Sequence, residues 1–518
     1  MSRFRRVVHS AASGYLALIA AGIYSLASVP VAMHYLSKER FGLWSLMATI
    51  GGYFSLIDFG MSGAVARLLI DHKDERQSGR YGSLIKTGWF VLVVQAAIIW
   101  FAGFVLAPIL SHLLAIPAEL ELEFISLLRW QCTYLALSFV TRIFTHILQA
   151  HQRIDLVNYF QTLTLGVSFA LLWAFFHAGQ GVYSLVWVNL LGNSLTAVML
   201  WISCYRLRMF PGRGAWGHAS WEYFRELFGY GKDLFLVAVG NQLIVASQTM
   251  IVTRRLGLEA AGLWAVGTRM FSLVSQIIWR ISDVSWPAFS EMMVRGESQI
   301  LRERYKALVI LTASLSGFAA VAYALCNSHF VWVWLNHKFF WPPVNDVLLG
   351  IWLIVLSILH CHNSFVLITK RVGFMRYVYF IEGVVFVCAA FIAAKAFGLP
   401  GIIVSSIVCS LAFSGSYGVW RIAKYFDLPI REVALGWLAP MFRVLILFVP
   451  GALLAWWALK AVPLPVIRLA LFAALCGSLG SYFFLRYGLS RNFQSELLQR
   501  APKGVGPILR RVFVGSVP

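Results

Sequence analysis

The sequence predicts an all-α polytopic membrane protein, and three features predict it. Of its 518 residues 59% are apolar and only 13% charged, with a mean hydropathy of +0.74; a soluble domain carries about a quarter charged residues. The apolar residues come in repeated blocks of roughly 18 to 30, long enough to cross the ~30 Å hydrocarbon layer as helices. Strand-type alternation is absent, which argues against an outer-membrane barrel. Backbone groups in lipid must be satisfied internally, so helices remain.

Fourteen spans follow, near 13–35, 41–69, 84–111, 123–149, 155–177, 182–205, 226–253, 260–292, 306–331, 345–369, 376–397, 400–420, 437–459 and 465–485. The first is preceded by Arg3, Arg5 and Arg6, as a signal peptide would be. Its apolar stretch, Gly14 to Met33, is long for such a segment and further spans follow, so it reads as uncleaved. The seven cysteines all fall in apolar blocks without CxxC spacing and read as small packed residues.

The net charge of +21 would suggest nucleic acid on a soluble protein. Here the basic residues sit in the gaps between blocks, where they set orientation and imply no nucleic-acid partner. With the N-terminus cytoplasmic, about three-quarters of the 43 Lys and Arg fall on or near the inner face. They include Arg76, Arg153, Arg206, Arg208, Arg302, Arg304, Lys370 and Arg371, while Lys38, Arg40, Arg254, Arg255 and Lys338 fall outside. This supports an even span count and two cytoplasmic termini.

An internal repeat is present. Leu36-Ser-Lys-Glu39-Arg-Phe-Gly42-Leu43-Trp44 aligns without gaps to Leu256-Gly-Leu-Glu259-Ala-Ala-Gly262-Leu263-Trp264, at an offset of 220 residues. Both segments enter a long span from outside, and six spans separate them. The expectation is two six-helix lobes, 1–205 (spans 1–6) and 226–425 (spans 7–12), related by a pseudo-two-fold along the membrane normal. A basic, Gly-rich cytoplasmic linker, 206–225, joins them. Two extra C-terminal helices occupy 426–486, and a basic tail, 487–518, would lie on the inner leaflet.

Charge inside a span costs roughly 2.5–3.5 kcal/mol, so each case is a functional candidate. In span 8, Arg269 and Arg280 are eleven residues apart and share a face; Gln276 lies on it, with Ser272 and Asp283 beside it. This polar stripe runs about 20 Å down an apolar helix. Either it lines a cavity for an anionic ligand such as a pyrophosphate, or Arg280 and Asp283 form a structural pair while Arg269 snorkels. Span 2 carries Asp58 and Arg67. The repeat sets Asp58 opposite position 278, so Arg280 is its leading expected partner. Bridging the lobes, binding a cation or satisfaction within its own lobe are all open to Asp58; Arg67 is near enough to the span's end to snorkel. Asn241 and Gln248 share a face of span 7 and either line the cavity or join helices. Arg142, His146, Gln149 and Arg153 share a face of span 4 that reads as an interfacial edge.

Other motifs fail. Asp58-Phe59-Gly60 lacks the loops of a kinase, and Gly231-Lys232 lacks the upstream Gly of a phosphate-binding loop. His360-Cys361-His362 looks like a metal cluster, but residues two apart on a helix point about 200° apart. No cofactor, metal or catalytic residue is expected, and no soluble segment is long enough for a catalytic domain.

Tyr35-Leu36-Ser-Lys-Glu39-Arg-Phe-Gly42-Leu-Trp44, Asp58-Phe59-Gly60-Met-Ser62 with Arg67, Leu256-Gly257…Gly262-Leu-Trp264-Ala and Trp286-Pro287-Ala-Phe289-Ser290 together resemble the polysaccharide transporters. These are the Wzx-type flippases of the multidrug/oligosaccharidyl-lipid/polysaccharide (MOP) superfamily. One departure stands out: such proteins often have an acidic residue late in span 7, where this chain has Gln248-Thr249. The resemblance implies a non-enzymatic, alternating-access flippase in the bacterial inner membrane. It would carry undecaprenyl-pyrophosphate-linked oligosaccharide units from the inner to the outer leaflet for O-antigen, capsule or exopolysaccharide assembly, beside the polymerase machinery. A drug or cation antiporter of the same superfamily is the alternative, though typically with twelve spans and an acid-dominated cavity. A membrane-embedded glycan-transferring enzyme would normally show a long outer loop.

Overall fold

The computed structural model describes residues 3–75, 78–336, 339–369, 373–500 and 506–513. Arg76, Lys338, Lys370 and Arg371 lie outside the described residues, as do the side chains of Arg3, Arg5, Arg6, Lys232 and Pro287. The described residues are helical, with no strand among them.

Packing divides the chain into two units, Met1–Ala265 and Val266–Pro518. Unit 1 holds α1 (Arg3–Tyr35), α2 (Lys38–Phe54), α3 (Met61–His72), α4 (Arg80–Leu114), α5 (Ala118–Ala150), α6 (Ile154–His177), α7 (Tyr183–Arg206), α8 (Trp221–Val245), α9 (Ser247–Leu256) and most of α10 (Leu258–Gly267). Unit 2 holds α11 (Arg269–Val294), α12 (Ser298–Trp334), α13 (Pro343–Ile368), α14 (Met375–Ser410), α15 (Ser416–Phe426), α16 (Ala439–Ala458), α17 (Pro465–Tyr487), α18 (Arg491–Arg500) and α19 (Gly506–Val512). These units are defined by contact; the lobes 1–205 and 226–425 are defined by sequence equivalence, a different partition that superposition of the helices would test.

The chain is a polytopic membrane protein. Among the described residues ten helices are long and apolar enough to cross a bilayer, or up to eleven with the bent pair α2–α3. The remaining three of the fourteen expected spans are helical too. Span 4 is α5, whose Glu119, Glu121, Glu123, Arg129 and Arg142 interrupt its apolar run. Span 8 is divided between α10 and α11. Spans 11 and 12 form one 52-residue run, Met375–Phe426. That run turns at Gly398, whose φ of 62° and ψ of −141° suit only glycine, two residues before Pro400.

Helices in lipid gain little from excluding water, so close packing and hydrogen bonds hold them. In unit 1 the two repeat segments meet. Gly42 of α2 lies against the Leu258 carbonyl and the Gly262 N–H of α10, where a Cβ would overlap the carbonyl. Lys38 Nζ pairs with Glu259 Oε1 at 2.9 Å beside them. In unit 2 the core gathers round buried Tyr305 of α12, with Phe289, Phe365 and Trp437. Spans 13 and 14 (α16 and α17) pack on α12 through Phe318, Phe448 and Phe472.

The linker is folded onto α4 rather than hanging free. Ser83 Oγ accepts the His218 N–H at 3.1 Å, Thr87 Oγ1 accepts that of Ser220 at 3.1 Å, and Lys86 Nζ donates to the Gly217 carbonyl at 2.8 Å. The tail folds back similarly. Leu509 and Phe513 pack on Leu311 and Phe484, and Glu496 pairs with Arg304 at 2.6 Å.

Candidate functional site

Span 2 is not one straight helix. After α2 the chain takes a 3₁₀ turn, Ser55–Asp58, then two left-handed residues, Phe59 (φ 48°) and Gly60 (φ 72°), before α3 departs at 49°. A left-handed Phe is strained, of order 1–3 kcal/mol, so the surroundings must hold it. They hold its neighbour, Asp58, at both ends. The Asp58 carbonyl accepts Gln95 Nε2 from α4 at 3.0 Å. Its carboxylate caps α3, accepting the Ser62 N–H at 3.4 Å and the Ser62 hydroxyl. Phe59 lies 4.6 Å from the Phe235 ring of α8.

The same carboxylate pairs with Arg142 NH1 of α5 at 3.4 Å. The base expected from span 7 or 8 is thus supplied by span 4, within Asp58's own unit. The Arg142 guanidinium also covers the Phe139 ring at 4.0 Å. Only 19% of the Asp58 side chain and 31% of that of Arg142 are exposed. One turn along α5, His146 is buried with Nδ1 3.3 Å from Gln149 Oε1. The Arg142–His146 part of span 4 therefore faces into the unit; only Arg153, paired with Asp155 at 3.1 Å, ends at an edge. The expectation of an interfacial edge fails because Asp58 lies opposite.

One turn and a half beyond Ser62, Arg67 lines a cavity of about 150 Å³ together with Ala64, Leu68, Asp71 and Glu226. Two carboxylates there make it a polar chamber. On span 7 a turn at Ala246 separates α8 from α9. Asn241 is exposed and Gln248 buried, so the face they were expected to share is split.

In unit 2, α11 has two sides. Phe271, Ser275, Ile278, Ser282 and Phe289 are buried. Ser272, Gln276 and Asp283 are exposed, and Arg269 and Arg280 half-buried. The polar stripe thus runs along the side of α11 away from the core of its unit. Asp283 Oδ1 accepts from His360 Nε2 of α13 at 2.9 Å, and Trp279 stacks on that imidazole at 4.7 Å. The neighbours His360 and His362 have different partners, since His362 Nδ1 meets Tyr305 Oη at 2.7 Å.

Two buried carboxylates of unit 2 lay outside the sequence reading. Asp346 Oδ1 accepts from Asn327 Nδ2 at 2.7 Å and Trp341 Nε1 at 2.6 Å. Asn327 also donates to the Gly267 carbonyl at 3.0 Å, as does Tyr323 Oη at 3.1 Å. This network holds the break between α10 and α11. At the repeat-equivalent position, Met47, the carbonyl is likewise taken by a buried carboxamide, Gln131 Nε2 at 2.6 Å. Glu382 of α14 is the second. An acid inside Phe380-Ile-Glu382-Gly-Val-Val-Phe386 was the available signal for it.

A family model described as "Polysaccharide biosynthesis protein" matches residues 33–341. No curated protein sequence matches the chain. Among solved structures, the lipid II flippase MurJ in an inward closed conformation is similar with a TM-score of 0.68 at 11% identity, covering 92% of this chain and 99% of that one. An inward-facing multidrug resistance MATE family transporter of the MOP superfamily gives 0.67 at 12% identity, covering 78% and 95%. A MOP superfamily transporter from Pyrococcus furiosus, described by a reversed polarity of its binding pocket, gives 0.58 at 12%, covering 82% and 96%. These likenesses give the fold as that of the MOP transporters.

Proposed function

Because the chain belongs to the polysaccharide biosynthesis protein family, we propose that it is a flippase for polyprenyl-pyrophosphate-linked oligosaccharides. In this reading it lies in the bacterial inner membrane with both termini cytoplasmic. It carries repeat units from the inner to the outer leaflet for O-antigen, capsule or exopolysaccharide assembly, by alternating access.

The observation that carries the reading is the stripe on α11. Arg269, Gln276 and Arg280 run along the side of that helix turned away from its own core. An anionic, sugar-rich head group needs such a lining. Guanidinium groups bind pyrophosphate oxygens by paired, charge-assisted hydrogen bonds, while carboxamides and hydroxyls meet sugar hydroxyls. Asp58, Arg67, Asn241 and Gln248 remain candidates for the path, and Asp283 tempers the stripe's charge at one end. The lipid tail stays in the bilayer while the head crosses.

Replacing both Arg269 and Arg280 by Ala should abolish glycan export while leaving membrane protein levels normal. Undiminished export in that double variant would remove the cationic lining and with it the structural support for an anionic cargo.

A further inference from the structure

Glu382 plays no part in the transport reading. It is 1% exposed and sits in the first arm of α14. Its Oε1 accepts from Ser410 Oγ at 3.0 Å and its Oε2 from the Ser414 N–H at 3.0 Å. The second donor exists because the helix is irregular there: Leu411–Gly415 is a π turn. A regular α-helix would spend the Ser414 N–H on the Ser410 carbonyl. Here the Ser414 hydroxyl donates to that carbonyl at 3.3 Å, which releases the amide to the carboxylate. Gly415 makes the turn possible, since a Cβ there would lie 2.8 Å from the Ser410 carbonyl and 3.1 Å from Leu359 of α13. Such π turns gather at functional sites.

The pocket meets the carboxyl group with two donors, one at each oxygen. Among the described residues no basic side chain acts on Glu382. The titratable groups that feel its charge are Tyr379 on its own arm and Cys409 on the facing one. A lone ionised carboxylate at membrane depth is expensive. Both protonation states nevertheless find partners. Ionised, the group accepts from both donors. Protonated at Oε1, it donates to Ser410 Oγ, while Oε2 still accepts from Ser414.

We propose that Glu382 is a proton-binding site, and that its occupancy weights the π turn at Leu411–Gly415 against a regular helical register. The step is proton transfer alone: H⁺ adds to Oε1 and no other covalent bond forms or breaks. Losing the proton strengthens the pull on the Ser414 amide and fixes the π turn; gaining it loosens that hold and lets the amide return to the helix. The site stands on this geometry. It does not depend on the transporter reading.

The test does not depend on transport. Infrared difference spectra of the full chain in lipid nanodiscs would be recorded across pH for wild type and Glu382→Gln. The expected result is a carbonyl stretch of a protonated carboxylic acid that moves in heavy water, vanishes as pH rises and is missing from Glu382→Gln. Ser410→Ala removes a donor to the ionised form, so the loss should move up by about one pH unit. A wild-type spectrum with no such band at any pH would overturn the proposal. So would a band removed by Na⁺ at fixed pH, which would make this a metal-cation site. If Glu382→Gln fails to fold, the Ser410→Ala comparison decides alone, and an unmoved titration there refutes the site.

Discussion

Arg142→Ala tests the pairing at the kink of span 2. The substitution strips the Asp58 carboxyl group of its guanidinium in a largely enclosed position, with Ser62 as its remaining partner. Removing one member of a buried ion pair costs about 3–5 kcal/mol. Because about a third of the Arg142 side chain is exposed, screening reduces this to about 2–3 kcal/mol. Lost stacking on Phe139 adds about 0.5–1 kcal/mol. Asp58→Asn alone leaves the guanidinium without its carboxylate. Asp58→Asn with Arg142→Gln leaves two neutral groups able to hydrogen-bond, so part of the loss should return. Unfolding of wild type, Arg142→Gln, Asp58→Asn and the double variant, each purified in lipid nanodiscs, would give the four corners of the cycle. A coupling of about 1–2 kcal/mol is expected; additivity within about 0.5 kcal/mol would refute the pairing. Glycan export adds a second readout. Asp58→Asn should slow it strongly and Asp58→Glu less so, whereas unaltered export in both would leave Asp58 as a structural cap of α3.

Two further substitutions probe the supports of unit 2. Asp346→Ala strands the Trp341 N–H and frees Asn327 from the break at Gly267, a loss of about 2–4 kcal/mol; Asp346→Asn, which keeps an acceptor, should recover at least half in the same unfolding assay. Gly398→Ala forces an alanine into a backbone region it avoids, at about 1–3 kcal/mol, although nothing crowds a Cβ there; equal stability of the two proteins would mean that the bend between spans 11 and 12 can move.

What was legible in the sequence was what depends on composition and length. Hydropathy blocks of span length place the helices, because lipid permits little else. Pro400 after Gly398 marks the turn between spans 11 and 12 at the expected boundary. The breaks within spans 2 and 8 were not legible, since apolar periodicity runs through both. Their determinants are distant: Gln95 and Arg142 at Asp58, Asn327 and Tyr323 at Gly267. For the same reason Asp58 was assigned a partner by repeat position, whereas the structure pairs it across 84 residues with a side chain read as an interfacial edge. The stripe on α11 was legible because it is periodic within one helix. Glu382 was legible in principle as an acid in an apolar run, but its pocket depends on a π turn that no local pattern announces.

The most direct test of the account is a leaflet-resolved assay of the lipid-linked oligosaccharide in a strain lacking this chain. The account predicts that the intermediate accumulates on the cytoplasmic leaflet, out of reach of a membrane-impermeant sugar-oxidising or glycosidase probe added outside. Restoring the chain should bring it to the outer leaflet. Normal outer-leaflet exposure in its absence, with no other protein taking over, would contradict the account.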